Sequence, residues 1–211
     1  MVKDLQRPER LELRSVVRLS FLALAAALIA TPCGADAPAS SPHNVPEPQG
    51  LYQGALHGYV PATLKGATVL DTAGLETLIR DAQPALVDVA EKDRKPPSMS
   101  KDMIWLPQHR SIPGAVWLPG AGAGTEDAAF AAAFRNRAVT LAMGKPATPI
   151  VVFCHPDCWA SYNAAKRLVA LGYSQVYWYP AGMEGWQDRH DTAVVKPDKT
   201  WLSTLPKSLT Q

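Results

Sequence analysis

Residues 149–167 read PIVVFCHPDCWASYNAAKR, and this stretch decides the fold of the 211-residue chain. The run from Ile150 to Phe153 is apolar on both faces, which is typical of a central strand in a parallel sheet. A loop carrying Cys154 and Cys158 follows, and a helical pattern then extends over 161–171 until Gly172 stops it. The stretch therefore predicts a buried strand, a cysteine-bearing loop and a helix.

Strands and helices alternate on both sides of this stretch. The pattern predicts strands and helices in this order: a strand over 68–70, a helix over 73–82 capped by Thr72, strands over 85–89 and 114–118, a helix over 126–143 capped by Thr125, a strand over 175–179 and a turn over 180–185. This alternation predicts an α/β fold with a mainly parallel sheet and helices on both faces. Ligands of such sheets bind at the carboxyl ends of the strands, where Cys154 lies.

The chain ends differ in composition from this domain. Arg10, Arg14 and Arg18 precede an apolar run over 21–30 that is too short to span a bilayer, and small residues follow it. We therefore expect a signal peptide over 1–35, a periplasmic location and no membrane attachment after cleavage. A Pro- and Ser-rich, irregular lead-in segment follows over 36–66, the domain covers 67–192, and 193–211 is expected to be a C-terminal tail.

Composition and charge exclude some classes of function. Hydrophobic residues make up 47% of the chain and charged residues 19%, which is typical of a globular protein. The net charge is +2, and beyond the leader the basic and acidic side chains are equal in number. With no basic stripe, we expect no nucleic-acid partner.

The loop from Cys154 to Cys158 carries the candidate chemistry. A strand-to-helix loop aims main-chain N–H groups at one point, and the helix N-terminus adds partial positive charge. Such a site favours a cysteine thiolate, and we expect it to act on Cys154, as a sulfur-transfer nucleophile requires. Cys158 is read either as a resolving thiol or as half of a structural disulfide.

Several neighbouring side chains complete the candidate site. The set expected to bind a substrate or small sulfur-containing anion consists of His155, Asp157, Trp159, Ala160 and Ser161 of the loop region, with Arg110 and Asp88 from elsewhere. His155 is read as a neighbouring cation or as a solvated side chain. Cysteines 154 and 158 with His155 lack a fourth ligand, so no metal is expected, and no haem motif or other cofactor fingerprint is present.

Four segments resemble the rhodanese family in order and spacing. They are Leu86–Val89, His109–Val116, the Cys154 loop and Gly182–Trp186. The resemblance covers about residues 68–190 and implies a three-layer rhodanese-like sandwich in which Cys154 is the persulfide-forming cysteine. The loop lacks the arginine that often follows that cysteine, which argues against thiosulfate:cyanide transfer.

A second resemblance spans nearly the whole chain beyond the leader. The segments Val60–Leu64, Ile112–Pro119, Cys158–Arg167 and Val176–Gly182 resemble the CXXCW-motif proteins associated with pyrroloquinoline quinone-dependent catabolism. Here the spacing is Cys-x-x-x-Cys-Trp. The resemblance implies an accessory to a quinoprotein alcohol dehydrogenase or its cytochrome c partner.

Three functions remain open at this point. The protein is a sulfurtransferase using Cys154, a thiol–disulfide or maturation factor using Cys154 and Cys158, or a non-catalytic binding module for a quinoprotein dehydrogenase. The loop cysteine favours the first, the paired cysteines the second, and the missing arginine the third.

Overall fold

The computed structural model describes residues 44–205, so the expected signal peptide lies outside the described residues. Within this range, strands and helices alternate. The elements are β1 Thr68–Val69, α1 Thr72–Ala82, β2 Ala85–Asp88, β3 Arg110–Ser111, β4 Val116–Trp117, α2 Ala128–Leu141, β5 Ile150–Phe153, α3 Trp159–Ala170, β6 Val176–Tyr179, α4 Gly182–Gln187, β7 Ala193–Val194 and α5 Lys199–Thr204. No helix within residues 44–205 is long and apolar enough to span a membrane.

The main sheet has five parallel strands in the order β1-β6-β5-β2-β4. All four residues of β5 are buried, because β2 and β6 flank the strand and helices cover both faces. Val152 pairs in register with Val87 on one side and Trp178 on the other. The expected central position of this strand, and the mainly parallel α/β sheet, are confirmed.

The side chains of β5 alternate between two cores, which makes the fold three-layered. Ile150 and Val152 pack on the face covered by α2, α3 and α5. Val151 and Phe153 pack on the face covered by α1 and α4. Period-two alternation in a strand buried on both faces explains why the sequence shows an unbroken apolar run rather than a polar–apolar alternation.

The helix caps differ from the expected ones by one or two positions. Asp71 caps α1 by accepting a 2.7 Å hydrogen bond from the Gly74 N–H, so the expected Thr72 is the first helical residue instead. Asp127 caps α2 in the same way, through the Phe130 N–H, and the hydroxyl of Thr125 accepts from Asp127 N. A carboxylate is at least as good an N-cap acceptor as a threonine hydroxyl, which is why the aspartates take these positions.

The described part of the expected C-terminal tail over 193–211 forms β7 and α5. β7 pairs antiparallel with β3, and α5 packs against α2 through the fully buried Trp201. The indole of Trp201 meets Phe130 edge-on and donates a hydrogen bond to Pro119 O. The expected turn over 180–185 is likewise the start of α4.

The described part of the lead-in segment is also packed on the body. Val60 and Leu64 are buried in the core under α2 and α3. Glu47 holds the segment together, because its carboxylate accepts hydrogen bonds from the Thr63 hydroxyl and the Lys65 N–H. The segment is irregular, as expected, but it is part of the domain.

Candidate functional site

The loop between β5 and α3 joins its two cysteines in a disulfide. Cys154 follows β5 directly, Cys158 immediately precedes α3, and their Cα atoms are 6.6 Å apart. Both are buried, with exposed fractions of 1% for Cys154 and 5% for Cys158. The sheet edge expected to carry the chemistry therefore carries a covered redox-capable pair.

Helix α4 fixes the Cys154 end of this loop. The Met183 N–H donates a 2.8 Å hydrogen bond to Cys154 O, and the His155 ring Nδ1 lies 2.7 Å from Glu184 Oε1. Gly182 makes the close approach possible: a Cβ there would lie 2.5 Å from Cys154 O, and its φ of +64° favours glycine. Sequence reasoning used Gly182 and Glu184 for the family resemblance and did not place them in the site.

Cys158, rather than Cys154, is the residue at the N-terminus of α3. It is the N-cap of this helix by position, and its side chain makes no capping hydrogen bond. The Cys154 Sγ instead lies 3.6 Å from His155 O and 3.8 Å from Cys158 O. Both contacts are to carbonyl oxygens, which accept a hydrogen bond from a thiol and repel a thiolate.

A strap formed by residues 53–59 crosses the loop. Its residue His57 lies opposite Cys158 in an isolated antiparallel bridge. The Trp159 N–H donates to Leu56 O at 2.7 Å, and the Gly58 N–H donates to Asp157 O at 2.8 Å. Asp157, at φ +49°, turns the chain so that its carbonyl meets the strap. The strap thus occupies the N–H of Trp159, which belongs to the first helical turn and which we expected to help bind an anion.

Tyr52 anchors the strap at its N-terminal end. Its ring stacks on Trp159 with centroids 3.9 Å apart and planes 12° apart. Its main chain is held by Asn163 of α3, which accepts from Tyr52 N and donates to Tyr52 O, both at 2.8 Å. Sequence reasoning placed Trp159 in the site but missed Tyr52 and the strap, because no local signal links positions so far apart in the chain.

The first turn of α3 is packed tightly beneath the loop. The Ser161 hydroxyl donates to Cys158 O and accepts from the Trp178 indole N–H. A Cβ at Gly122 would come into contact with the main chain of Ala160, so only glycine fits there. Ala160 and Ser161 therefore pack against the loop and its neighbours, and their expected part in substrate binding stays a prediction.

The remaining two expected residues have structural partners. Asp88 is buried, and its carboxyl group accepts from Ala90 N, the Ser111 hydroxyl and the His109 ring, the last at 2.7 Å. Arg110 donates two hydrogen bonds to Thr192, which joins β3 to β7. The anion-binding role expected for Arg110 stays a prediction, and in this structure its guanidinium bonds to the second sheet.

The phenol of Tyr162 lies next to the loop. Burial, and then the charge of Glu47, raise the pKa of Tyr162, whose ring meets Trp159 edge-on. The phenol therefore stays protonated at neutral pH. No group of histidine, cysteine or acidic side chains within residues 44–205 is arranged to hold a metal ion.

Comparison with known proteins places the fold. A family profile described as rhodanese-like domain matches residues 71–189, which is more than half of the chain. No curated protein matches. Among solved structures, a thiosulfate sulfurtransferase from Pseudomonas aeruginosa is 18% identical, with a TM-score of 0.41 over 65% of this chain and 24% of that one. This chain thus spans about a quarter of that protein's length.

Two further structures are similar. A rhodanese-like domain from Anabaena is 16% identical, with a TM-score of 0.40 over 63% of this chain and 81% of that one. An uncharacterized protein from Saccharomyces cerevisiae is 18% identical, with a TM-score of 0.35 over 58% of this chain and 92% of that one.

Proposed function

The chain belongs to the rhodanese-like domain family, and we propose that on this scaffold Cys154 and Cys158 form a pair that carries out thiol–disulfide exchange with a client polypeptide. The observation that carries the proposal is the disulfide itself, closed across the loop at the carboxyl edge of the sheet. A cysteine that carries sulfur in this loop must be a free thiolate, whereas an exchanging pair alternates between dithiol and disulfide.

The two cysteines have different roles in this exchange. Cys158, at the helix N-cap, attacks a client disulfide as a thiolate, forms a mixed disulfide and expels one client thiolate. Cys154 then loses its proton and attacks Cys158 Sγ, which closes the disulfide of the structure and expels the second client thiolate. The client is reduced by two electrons, the pair is oxidised, and a dithiol protein reduces it again.

Trapping of the mixed disulfide tests this proposal. The Cys154→Ser variant keeps the attacking thiol and lacks the resolving one, so it should accumulate a mixed disulfide with a disulfide-bearing peptide. The matched Cys158→Ser variant should accumulate much less. Equal trapping in both variants, or none in either, would contradict the assignment.

Persulfide transfer at Cys154 is the second candidate. Its support is the position of Cys154, which directly follows β5 where the family resemblance puts the persulfide-forming cysteine. The Cys154 thiolate would attack a sulfane sulfur, and the donor would leave as its own anion. Mass spectrometry of the Cys158→Ser variant after incubation with thiosulfate separates the two candidates, because a persulfide on Cys154 supports only this one.

We further propose a periplasmic accessory role in quinoprotein-dependent alcohol oxidation. The signal-like leader and the segments shared with the CXXCW-motif proteins support it. In this proposal the client is a quinoprotein dehydrogenase or its cytochrome c, since such proteins can carry disulfides or haem-binding cysteines that need redox control in an oxidising compartment. A Cys154→Ser strain should then grow normally on sugars and poorly on an alcohol oxidised by the quinoprotein. Normal growth on the alcohol, with failure of the full deletion, would favour a non-catalytic binding module.

A further inference from the structure

The strap pairs with the cysteine loop as one more β-strand would. The two hydrogen bonds, Trp159 N–H to Leu56 O and Gly58 N–H to Asp157 O, flank the opposed residues His57 and Cys158. Both bonds join main-chain groups, so they are independent of the strap's side chains. Any extended polypeptide offers the same N–H and C=O groups to this edge.

The register of this pairing puts one strap position directly opposite Cys158. Because the bonds lie on either side of His57 and Cys158 and not between them, these residues form a non-hydrogen-bonded antiparallel pair. Side chains of such pairs are close, with Cα atoms about 4.5 Å apart. A cysteine at this position in a client chain would therefore be within reach of a disulfide with Cys158.

The strap is built so that it can leave. Tyr52 and the buried Val60 hold its two ends, and Leu56 packs against the core between them, while its other residues are exposed. Two main-chain hydrogen bonds join it to the loop, and an extended client segment can form the same two bonds. Both cysteines are nevertheless buried beneath it, so a client cannot meet Cys158 while the strap is in place.

We propose that the main-chain edge of Asp157–Trp159 is a binding slot for an extended polypeptide, which the strap fills until a client replaces it. This inference rests on the proposed thiol–disulfide exchange for its biological meaning, but the slot itself needs no reactive cysteine. The client residue that takes the place of His57 is the one that Cys158 attacks, which selects cysteines in extended segments.

Binding of a synthetic heptapeptide tests the slot without any cysteine chemistry. The probe is Gln-Gly-Ala-Leu-His-Gly-Tyr, a copy of residues 53–59. Titration calorimetry on the oxidised protein compares Tyr52→Ala, which loses the stacked ring and keeps the main-chain bonds to Asn163, with Tyr52→Phe, which keeps the stacked ring. We expect the peptide to bind the Tyr52→Ala variant at least tenfold more tightly. Equal affinities, or no binding to a folded Tyr52→Ala variant, would overturn the proposal.

A second pair of variants loosens the strap itself. Gly58 has φ +148° with nothing near a Cβ, so Gly58→Ala strains the strap without a clash. Gly50→Ala is the control, since a Cβ there also meets nothing and its backbone is not left-handed. Peptide binding should increase in Gly58→Ala and stay unchanged in Gly50→Ala, and an equal response would count against the slot.

A chemically altered peptide identifies the groups that bind. N-methylation of the probe's second glycine removes the N–H that would replace that of Gly58, so its affinity should fall at least tenfold; an unchanged affinity would rule out main-chain pairing. The slot and the proposed function fail separately. Peptide binding without mixed-disulfide trapping by Cys154→Ser would support the slot and contradict the thiol–disulfide exchange. Trapping without strap-dependent peptide binding would support the exchange and contradict the slot.

Discussion

The rings of Tyr52 and Trp159 stack at 3.9 Å, and this contact ties the lead-in segment to the residue that follows Cys158. Trp159 is buried and Tyr52 half-buried, so the stack closes one side of the cysteine loop. Residues that precede the family match in the chain therefore lie against the cysteine loop. In the proposed exchange, these residues move away before the pair meets a client.

The Tyr52 anchor should be measurable as stability. Tyr52→Ala removes the stack and half-buried ring surface, so we expect a loss of about 2 kcal/mol in the free energy of unfolding. Tyr52→Phe should change it by less than about 0.5 kcal/mol. Urea denaturation of the oxidised proteins checks both values, and similar losses in the two variants would show that the ring contact is not the anchor.

The hydrogen bonds of the Glu47 carboxylate predict that the stability of the fold depends on pH. Burial alone would raise the pKa of Glu47, but the hydrogen bonds from Thr63 and the Lys65 N–H and the charge of Lys166 hold it below its ordinary value of 4.5. Because its pKa is lowered in the folded state, Glu47 stabilises the fold above pH 4.5. This stabilisation is lost as the pH falls through the folded-state pKa.

The Glu47→Gln variant measures this contribution. Because the side chain is largely solvated, we expect a destabilisation of at most about 1 kcal/mol at neutral pH, which shrinks toward pH 3. The free energy of unfolding of both proteins across this range is the measurement. A difference that stays constant with pH would show that the carboxylate charge is irrelevant.

Gly182 should tolerate no side chain. Gly182→Ala would place its Cβ 2.5 Å from Cys154 O and 2.7 Å from the His155 carbonyl carbon, and both are main-chain atoms that cannot move aside alone. We expect a loss of about 3 kcal/mol or more, with a displaced loop. Gly120→Ala is the control: it also has positive φ but meets nothing, so about 1 kcal/mol of strain is expected. Equal losses of stability in Gly182→Ala and Gly120→Ala would show that the close approach of Gly182 to Cys154 O is not what excludes a side chain.

Asp88 is expected to stabilise the fold and to take no direct part in disulfide exchange. Asp88→Ala leaves two buried donors, those of Ala90 and Ser111, and the half-buried His109 ring without their acceptor, and should destabilise by about 3 kcal/mol. Ser111→Ala removes one donor and should lose about 1 kcal/mol. If Asp88→Ala kept full stability and lost disulfide exchange, the residue would belong to the chemistry instead.

The sequence indicated the sheet well because its strands are strongly apolar. Ile150–Phe153 is buried on both faces, and this burial is what its unbroken apolar run encodes. The short helices α4 and α5 were harder to foresee, since six residues show less than two helical turns. Trp201 is buried through contacts with α2, which no local pattern reveals.

The site was predictable in its cysteines but not in its cover. The strand-end position marked Cys154, and the second cysteine marked the pair. That the helix begins at Trp159, so that Cys158 and not Cys154 is its N-cap, depends on a helix boundary that sequence patterns locate only to within a few residues. The strap depends on main-chain pairing, which leaves no side-chain signature.

The reduction potential of the Cys154–Cys158 disulfide tests the central claim most directly. The protein is equilibrated in glutathione redox buffers, and the fraction of oxidised pair is read after acid quenching and alkylation. An exchanging pair must be reducible by cellular dithiols, so we expect a potential above about −270 mV, in the range of thiol–disulfide oxidoreductases. A potential below about −300 mV, typical of permanent structural disulfides, would contradict the proposed function.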